Sequence, residues 1–425
     1  MILRTTGAWR LLAGGAAAAL LLLGAGLLLP QGGRGADVPK ALNEGSAATS
    51  GLKALKIGSA AASGFKALKE GSGAASGLKV QLAASNTAIS KPASAHPADF
   101  VMTGGLSGWG VDASGVWKTV DGGKTWRHPA ANIVPADPDA AVMPVPYTFE
   151  DKQKGWVLTA YGYHQPTLVF RTSDGGRSWK AARLPASGEW EKGYGGFISF
   201  VDDLHGYILK TSDPSLGFMQ KSLFRTADGG VSWSRVGEIT GSIDSYPTGM
   251  VFRNETSGWI TSSNHGQEDI LTFRTADGGR TWTKQKLPPP PGLKPEGYTN
   301  SYPPVFSGQG MENGVLPIEV VNGEERGMVF YTTVDGGASW KAGPLWPEIQ
   351  QGRFFWLDAR TGWSMRQDGV LARTADGGRS WTRVSKAQLF AEGTLIRFAS
   401  ADRGWIAGSG FLWSTSDGGK SWTRL

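Results

Sequence analysis

Carboxylates are the first residues of this chain to which chemistry can be assigned. Seven of them recur in one setting: Asp121, Asp174, Asp228, Asp277, Asp335, Asp376 and Asp417 each stand third in Thr/Ser-x-Asp-x-Gly-x-Ser/Thr-Trp. Examples are TVDGGKTW at 119–126 and TADGGVSW at 226–233. Asp-x-Gly stretches invite a calcium reading, but Ca²⁺ takes 6–8 oxygen ligands drawn from several positions, and each stretch here offers one carboxylate. The alternative is a turn. Its Asp accepts hydrogen bonds from its own backbone N–H groups, glycine accepts positive φ, and Trp supplies an apolar plate that packs back on the strands. A device used seven times is a building device, and no metal or cofactor is expected of it.

Other carboxylates outside the repeat are Glu189, Glu191, Asp244, Glu268, Glu296 and Asp358. All are expected near a central channel, where a glycosidase would need two carboxyl groups about 5–9.5 Å apart. No spacing selects such a pair. The five histidines lack the short spacing of a zinc site, and no Gly-x-Ser-x-Gly motif stands between a strand and a helix. Binding is easier to assemble than catalysis. Trp190 and Tyr194 lead, because Gly193, Gly195 and Gly196 around them imply an exposed loop; Tyr161, Tyr163 and His164 follow, with Tyr246 and Tyr298 beyond. Aromatics among carboxylates and amides stack on sugars or grip peptide segments. The competing reading makes Tyr246, Tyr302 and Phe354 the starts of inner strands that plug the channel, with Phe355 and Trp356 in the core.

The elements that must carry these residues follow from a second repeat. Gly-Trp precedes most boxes, at 108–109, 155–156, 258–259, 362–363 and 404–405; Gly206-Tyr207 is a variant and Gly314-Val315 fills the same place in the fifth copy. Upstream lies a short apolar run and a polar turn. The unit is therefore strand, turn, Gly-Trp strand, variable loop, strand, Asp turn, strand. The box aspartates are 41 to 58 residues apart, a period that signals propeller blades. Four antiparallel strands in each of seven units predict an all-β chain, a seven-bladed β-propeller over 99–425. The Asp turns then share one end and the variable loops the other. Closure is expected from packing of the last unit on the first, with a final strand at 422–425.

A formal net charge of +7 taken alone points to nucleic acid, but its location decides otherwise. Residues 1–98 hold ten basic and three acidic residues, which leaves 33 of each sign in 99–425. The propeller is formally neutral and no nucleic-acid partner is expected; a monomer is. Residues 11–29 form a nineteen-residue apolar run after Arg4 and Arg10, just long enough to span a bilayer and longer than a usual signal h-region. With no cysteine in the chain, lipoprotein anchoring is excluded. Residues 1–36 read as an uncleaved anchor helix placing the rest outside the cytoplasm, with a cleaved signal peptide and secretion as the alternative. Residues 37–98 carry a 13-residue repeat starting at Gly45, Gly58 and Gly71. Steps of about 100° leave successive copies out of register, so the Ala/Gly/Ser/Lys tract is expected to be a disordered spacer reaching roughly 40 Å.

The Asp turns resemble the Asp-box, or bacterial neuraminidase repeat, of several propeller families. Gly-Trp combined with Arg-Thr-x-Asp-Gly-Gly-x-Ser/Thr-Trp, in which Arg171, Arg225, Arg274 and Arg373 stand, most resembles the photosystem II stability/assembly factor family. That resemblance covers about 99–425 and implies a seven-bladed, non-enzymatic assembly factor; its photosynthetic role does not transfer. Sialidases resemble the chain less: their Arg-Ile-Pro motif is missing. Sortilin-type propellers have ten blades, and xyloglucan-type glycosidases two tandem propellers. The expected function is thus an exported, membrane-tethered, non-enzymatic scaffold whose loop face binds protein or glycan. An Asp-box glycoside hydrolase is the alternative.

Overall fold

The computed structural model describes residues 81–83, 90–92, 96–112, 114–130, 133, 145–159, 167–185, 195–212, 219–263, 269–292, 294, 297–323 and 325–425. The apolar run at 11–29 lies outside them. Among the described residues no helix is long and apolar enough to cross a membrane. Their regular secondary structure is almost entirely antiparallel strand. A single 3₁₀ turn, Thr240–Ser242, and a one-turn helix, Gln388–Glu392, lie in connections.

Each box-bearing unit is a sheet whose strands pair in chain order. In unit 3 these are Gly195–Phe200, Gly206–Thr211, Lys221–Thr226 and Ser234–Glu238. Units 6 and 7 repeat the pattern from Phe354–Trp356 to Thr382–Lys386 and from Leu395–Phe398 to Thr423–Arg424. Units 4 and 5 depart from it. Residues Tyr298–Ser301, expected as connecting loop, form a strand that pairs with both Gly258–Ser263 and Asn313–Asn322 and joins the two units in one nine-stranded sheet.

Seven buried apolar clusters lie between consecutive units. At three of the seven junctions the rings follow one arrangement. The Gly-Trp tryptophan of one unit stacks on an aromatic ring from the first strand of the next, and that unit's box Trp meets the same ring edge-on. Trp156 lies 3.8 Å from Phe200, which meets Trp233 at 6.0 Å and 88°; Tyr207, Phe252 and Trp282 repeat this, as do Trp363, Phe398 and Trp422. Such pairs add about 0.5–1.5 kcal/mol beyond area burial. The glycine of Gly-Trp is explained by the same ring. A Cβ on Gly258 would sit 2.7 Å from Phe252 of its own unit, and one on Gly155 2.1 Å from Phe149.

The seventh cluster joins Leu395, Trp405 and Leu412 to Phe100, Met102 and Trp126, and Trp405 Nε1 donates to Gly122 O at 2.7 Å. Arg397, buried, donates to Phe100 O and pairs with Asp99 at 2.8 Å. The last unit therefore packs on the first with four strands of its own. Two short strands correct the reading of 37–98 as spacer throughout. Gln81–Ala83 adds to the outer strand of unit 2, Ser178–Arg183, and Ser90–Pro92 adds to the outer strand of unit 1, Thr125–Ala130.

Candidate functional site

The two ends of the sheets differ in chemistry. At the box end one network recurs. In unit 1, Thr119 Oγ1 donates to Asp121 Oδ1 and accepts from Gly123 N; Asp121 also accepts from Thr125 N and Thr125 Oγ1, all at 2.6–3.0 Å. All seven boxes repeat these bonds, for example around Asp228, Asp335 and Asp417. Both glycines after the Asp have positive φ, +70° and +82° in unit 3, a conformation glycine adopts without steric cost. The first of them donates its N–H to the turn after the first strand, as Gly229 N does to Leu204 O and Gly377 N to Arg360 O. That turn and the box therefore share an end.

These contacts fix the charge of the box carboxylates. Hydrogen bonds from the Ser339 hydroxyl and N–H, and from the Thr333 hydroxyl, hold Asp335 at about 2. Burial works against the charge on Asp277, but donors from Thr281 and Thr275 outweigh it and bring that group also to about 2. Carboxylates so saturated are anions at any ordinary pH and have no proton to give. Asp358 proves to belong here as well. It accepts from Arg360 N and Thr361 N in the box-end turn of unit 6, which corrects its expected place near the channel.

In every unit but the fifth, the residue before the box threonine lies opposite the Gly-Trp ring in register, as Arg171 does to Trp156 and Arg225 to Tyr207; in the fifth, Thr332 faces Val315. Lys118 Nζ sits 4.3 Å above Trp109 and donates to Lys152 O and Gly175 O of the next unit. Arg274 and Arg373 lie 5.6 and 5.2 Å over Trp259 and Trp363. These cations serve packing, by attraction to the ring face. Their place before five of the seven boxes was visible in the sequence, but their partner ring was not.

Of the seven candidate binding residues, two are described, and both lie at the opposite end. Trp190, Tyr194, Tyr161, Tyr163 and His164 lie outside the described residues, as do Glu189, Glu191, Glu268 and Glu296. Tyr246 and Tyr298 are described, both half-buried, and the structure brings them onto one sheet. Ser263 pairs with Tyr246 on one side and with Asn300, two residues after Tyr298, on the other. Beneath them, buried Glu319 accepts from Asn300 Nδ2 at 2.8 Å and Tyr302 OH at 3.1 Å. Burial and the neighbouring Glu319 charge push the Tyr302 phenol well above its ordinary value. Tyr302 falls between the strands Tyr298–Ser301 and Val305–Ser307 and lies in the apolar cluster between units 5 and 6, so it does not begin a strand as expected, whereas Tyr246 and Phe354 do.

Lys221 was not singled out by its sequence context. It is 2 % exposed at the start of the third strand of unit 3, and its Nζ donates to Met219 O at 2.7 Å. Burial lowers its pKa to about 8 against the pull of Asp244 and Glu238. Among the described residues no group of three or more His, Cys, Asp or Glu is placed to hold a metal ion. A cleft of about 370 Å³ opens at the box end between units 3 and 4, lined by His205, Arg225, Asp228, Trp233, Ser234 and Glu255 among others.

No family model matches the chain, and no curated protein does. Among solved structures it is similar to YCF48 bound to a D1 peptide, at 18% identity over 80% of this chain and 96% of that chain, with a TM-score of 0.46. It is also similar to YCF48 from Cyanidioschyzon merolae, at 17% identity over 66% and 84%, TM-score 0.45. A Hadza microbial sialidase is similar at 15% identity over 65% and 62%, TM-score 0.38.

Proposed function

We propose that residues 99–425 form a closed seven-bladed propeller that works as a non-enzymatic binding or assembly scaffold, and that its partner docks on the variable-loop end. In this reading residues 1–36 anchor the chain in the membrane and hold the propeller outside the cytoplasm, and the tract before residue 81 is the tether. The observation that carries it is the state of the carboxylates. The seven box aspartates and Asp358 are saturated turn acceptors, Asp99 is paired with Arg397, and Glu319 is filled by Asn300 and Tyr302. General acid catalysis in a glycosidase requires a carboxyl group held protonated near neutrality, and the hydrogen bonds that keep the box aspartates ionised do the opposite. The likeness of the Arg-Thr-x-Asp-Gly-Gly-x-Ser/Thr-Trp boxes to the assembly-factor family favours a protein segment as partner, with glycan as the alternative.

Replacing both Trp190 and Tyr194 by Ala in the full chain tests this reading. Capture of partner from membranes should weaken while the melting temperature holds. Turnover of a chromogenic glycoside by the pure chain, abolished by mutating one loop-end Glu or Asp, would overturn it.

A further inference from the structure

A sheet edge exposes unpaired N–H and C=O groups that template another strand, and proteins blunt such edges with short strands, proline or charge. Two of the seven outer edges here are already occupied by the chain itself. Gln81–Ala83 lies antiparallel to unit 2, in the register Gln81↔Lys180, Leu82↔Trp179, Ala83↔Ser178. Ser90–Pro92 lies likewise on unit 1, with Lys91 opposite Trp126. Occupation leaves a mark on the box tryptophans. Trp126 and Trp179, at covered edges, are 0 % and 2 % exposed, whereas Trp233, Trp282 and Trp340 keep 6–7 %. In the covered units the outer strand begins at or before the Trp; in unit 3 it begins after it, at Ser234.

The remaining edges are unequal. The outer strands of units 4, 5 and 7 have two residues each: Thr283–Lys284, Leu345–Trp346 between Pro344 and Pro347, and Thr423–Arg424. That of unit 6, Thr382–Lys386, is five residues long but carries Arg383 and Lys386 with no acidic residue in the strand, and Ser385 Oγ is engaged with Gly419 O. Unit 3 is different. Ser234–Glu238 is also five residues long, ends its sheet with no described strand beyond it, and its Arg235 and Glu238 pair with each other at 3.3 Å. The cleft of about 370 Å³ is lined by Ser232, Trp233 and Ser234. Those three positions correspond to Ser178, Trp179 and Lys180, which receive the added strand in unit 2.

We propose that the outer edge of unit 3, at residues 232–238, is a docking site for an extended segment of a partner protein. The segment adds as a further antiparallel strand with an apolar residue opposite Trp233 and uncharged neighbours, for which Gln81-Leu82-Ala83 on the adjacent unit is the template. Backbone hydrogen bonds hold it, as in other strand-addition complexes. This surface is separate from the loop end.

A synthetic peptide with the sequence of residues 77–85, GLKVQLAAS, added in trans to the full chain is the probe, and amide hydrogen exchange is the readout. At a peptide concentration about ten times its Kd, exchange of the amides of 232–238 should slow about tenfold. The same peptide with Leu82→Pro should give no protection. The proposal is overturned if the peptide protects other residues instead, or none at millimolar concentration. It is also overturned if 232–238 are already protected in the chain alone, because the edge is then filled from within. Protection that grows with protein concentration would mean a second copy fills it, with the same consequence.

Discussion

The box end and the loop end of these sheets are made by the same strands yet obey different rules. At the box end each unit repeats the same hydrogen bonds and positive-φ glycines, so that Asp121 and Asp417, almost three hundred residues apart, have equivalent partners. At the loop end the described residues differ from unit to unit: buried Lys221 belongs to unit 3, Glu319 to unit 5, and the Tyr298–Ser301 strand to the joint between units 4 and 5. Repetition is what a stacking interface requires, because each unit must meet its neighbour as every other unit does. Departure from repetition is what a single partner requires.

The contrast is broken most severely at the stacking rings. Trp363 is fully buried, stacks 3.7 Å from Phe398 and donates to Gly418 O. Trp363→Ala should cost about 3–5 kcal/mol, read as a lower midpoint in urea. The box carboxylates come next. Asp335 is exposed, so solvent screening limits the cost of Asp335→Asn to about 1 kcal/mol at neutral pH, and the cost should depend on acid in a set way. The folded-state pKa of Asp335 is depressed to about 2, so its contribution is complete above the unfolded value near 4 and is lost as pH falls through about 2. The stability gap between wild type and Asp335→Asn, followed by urea denaturation, should therefore close between those values.

The smallest effect is expected at the loop end, with the opposite sign. The pKa of Lys221 is lowered on folding, to about 8, so the unfolded chain binds the extra proton between about pH 8 and 10.5 and stability from this group rises across that window. Lys221→Met should remove the rise and leave stability at pH 7 unchanged or improved. Denaturation midpoints at pH 7 and pH 10 would read both.

The sequence carried the regular half of this architecture and not the irregular half. Asp-Gly-Gly between β-type runs is a local signal, read from the conformational freedom of glycine and the acceptor strength of Asp. Four-stranded antiparallel units followed from it and from Gly-Trp. Why glycine precedes Trp was not legible, since the ring that excludes a Cβ on Gly258 is Phe252 across the strand pair. Non-local pairing was equally hidden. Tyr298–Ser301 follows a proline-rich stretch that reads as loop, and it becomes a strand only because two neighbouring sheets offer partners. Residues 81–83 and 90–92 sit in low-complexity sequence and pair through backbone groups, which leave no side-chain signature. Asp358 was misplaced because its turn looks like any acidic loop until the shared end of turn and box is seen.

Division of labour between the two ends is the central claim, and partner capture measured beside melting temperature on two variants tests it most directly. Asp228→Ala should lower the melting temperature and leave capture per folded molecule unchanged. The Trp190→Ala, Tyr194→Ala double variant should lose capture and keep the melting temperature. Loss of capture by Asp228→Ala at full thermal stability, or undiminished capture by the double variant, would contradict the account.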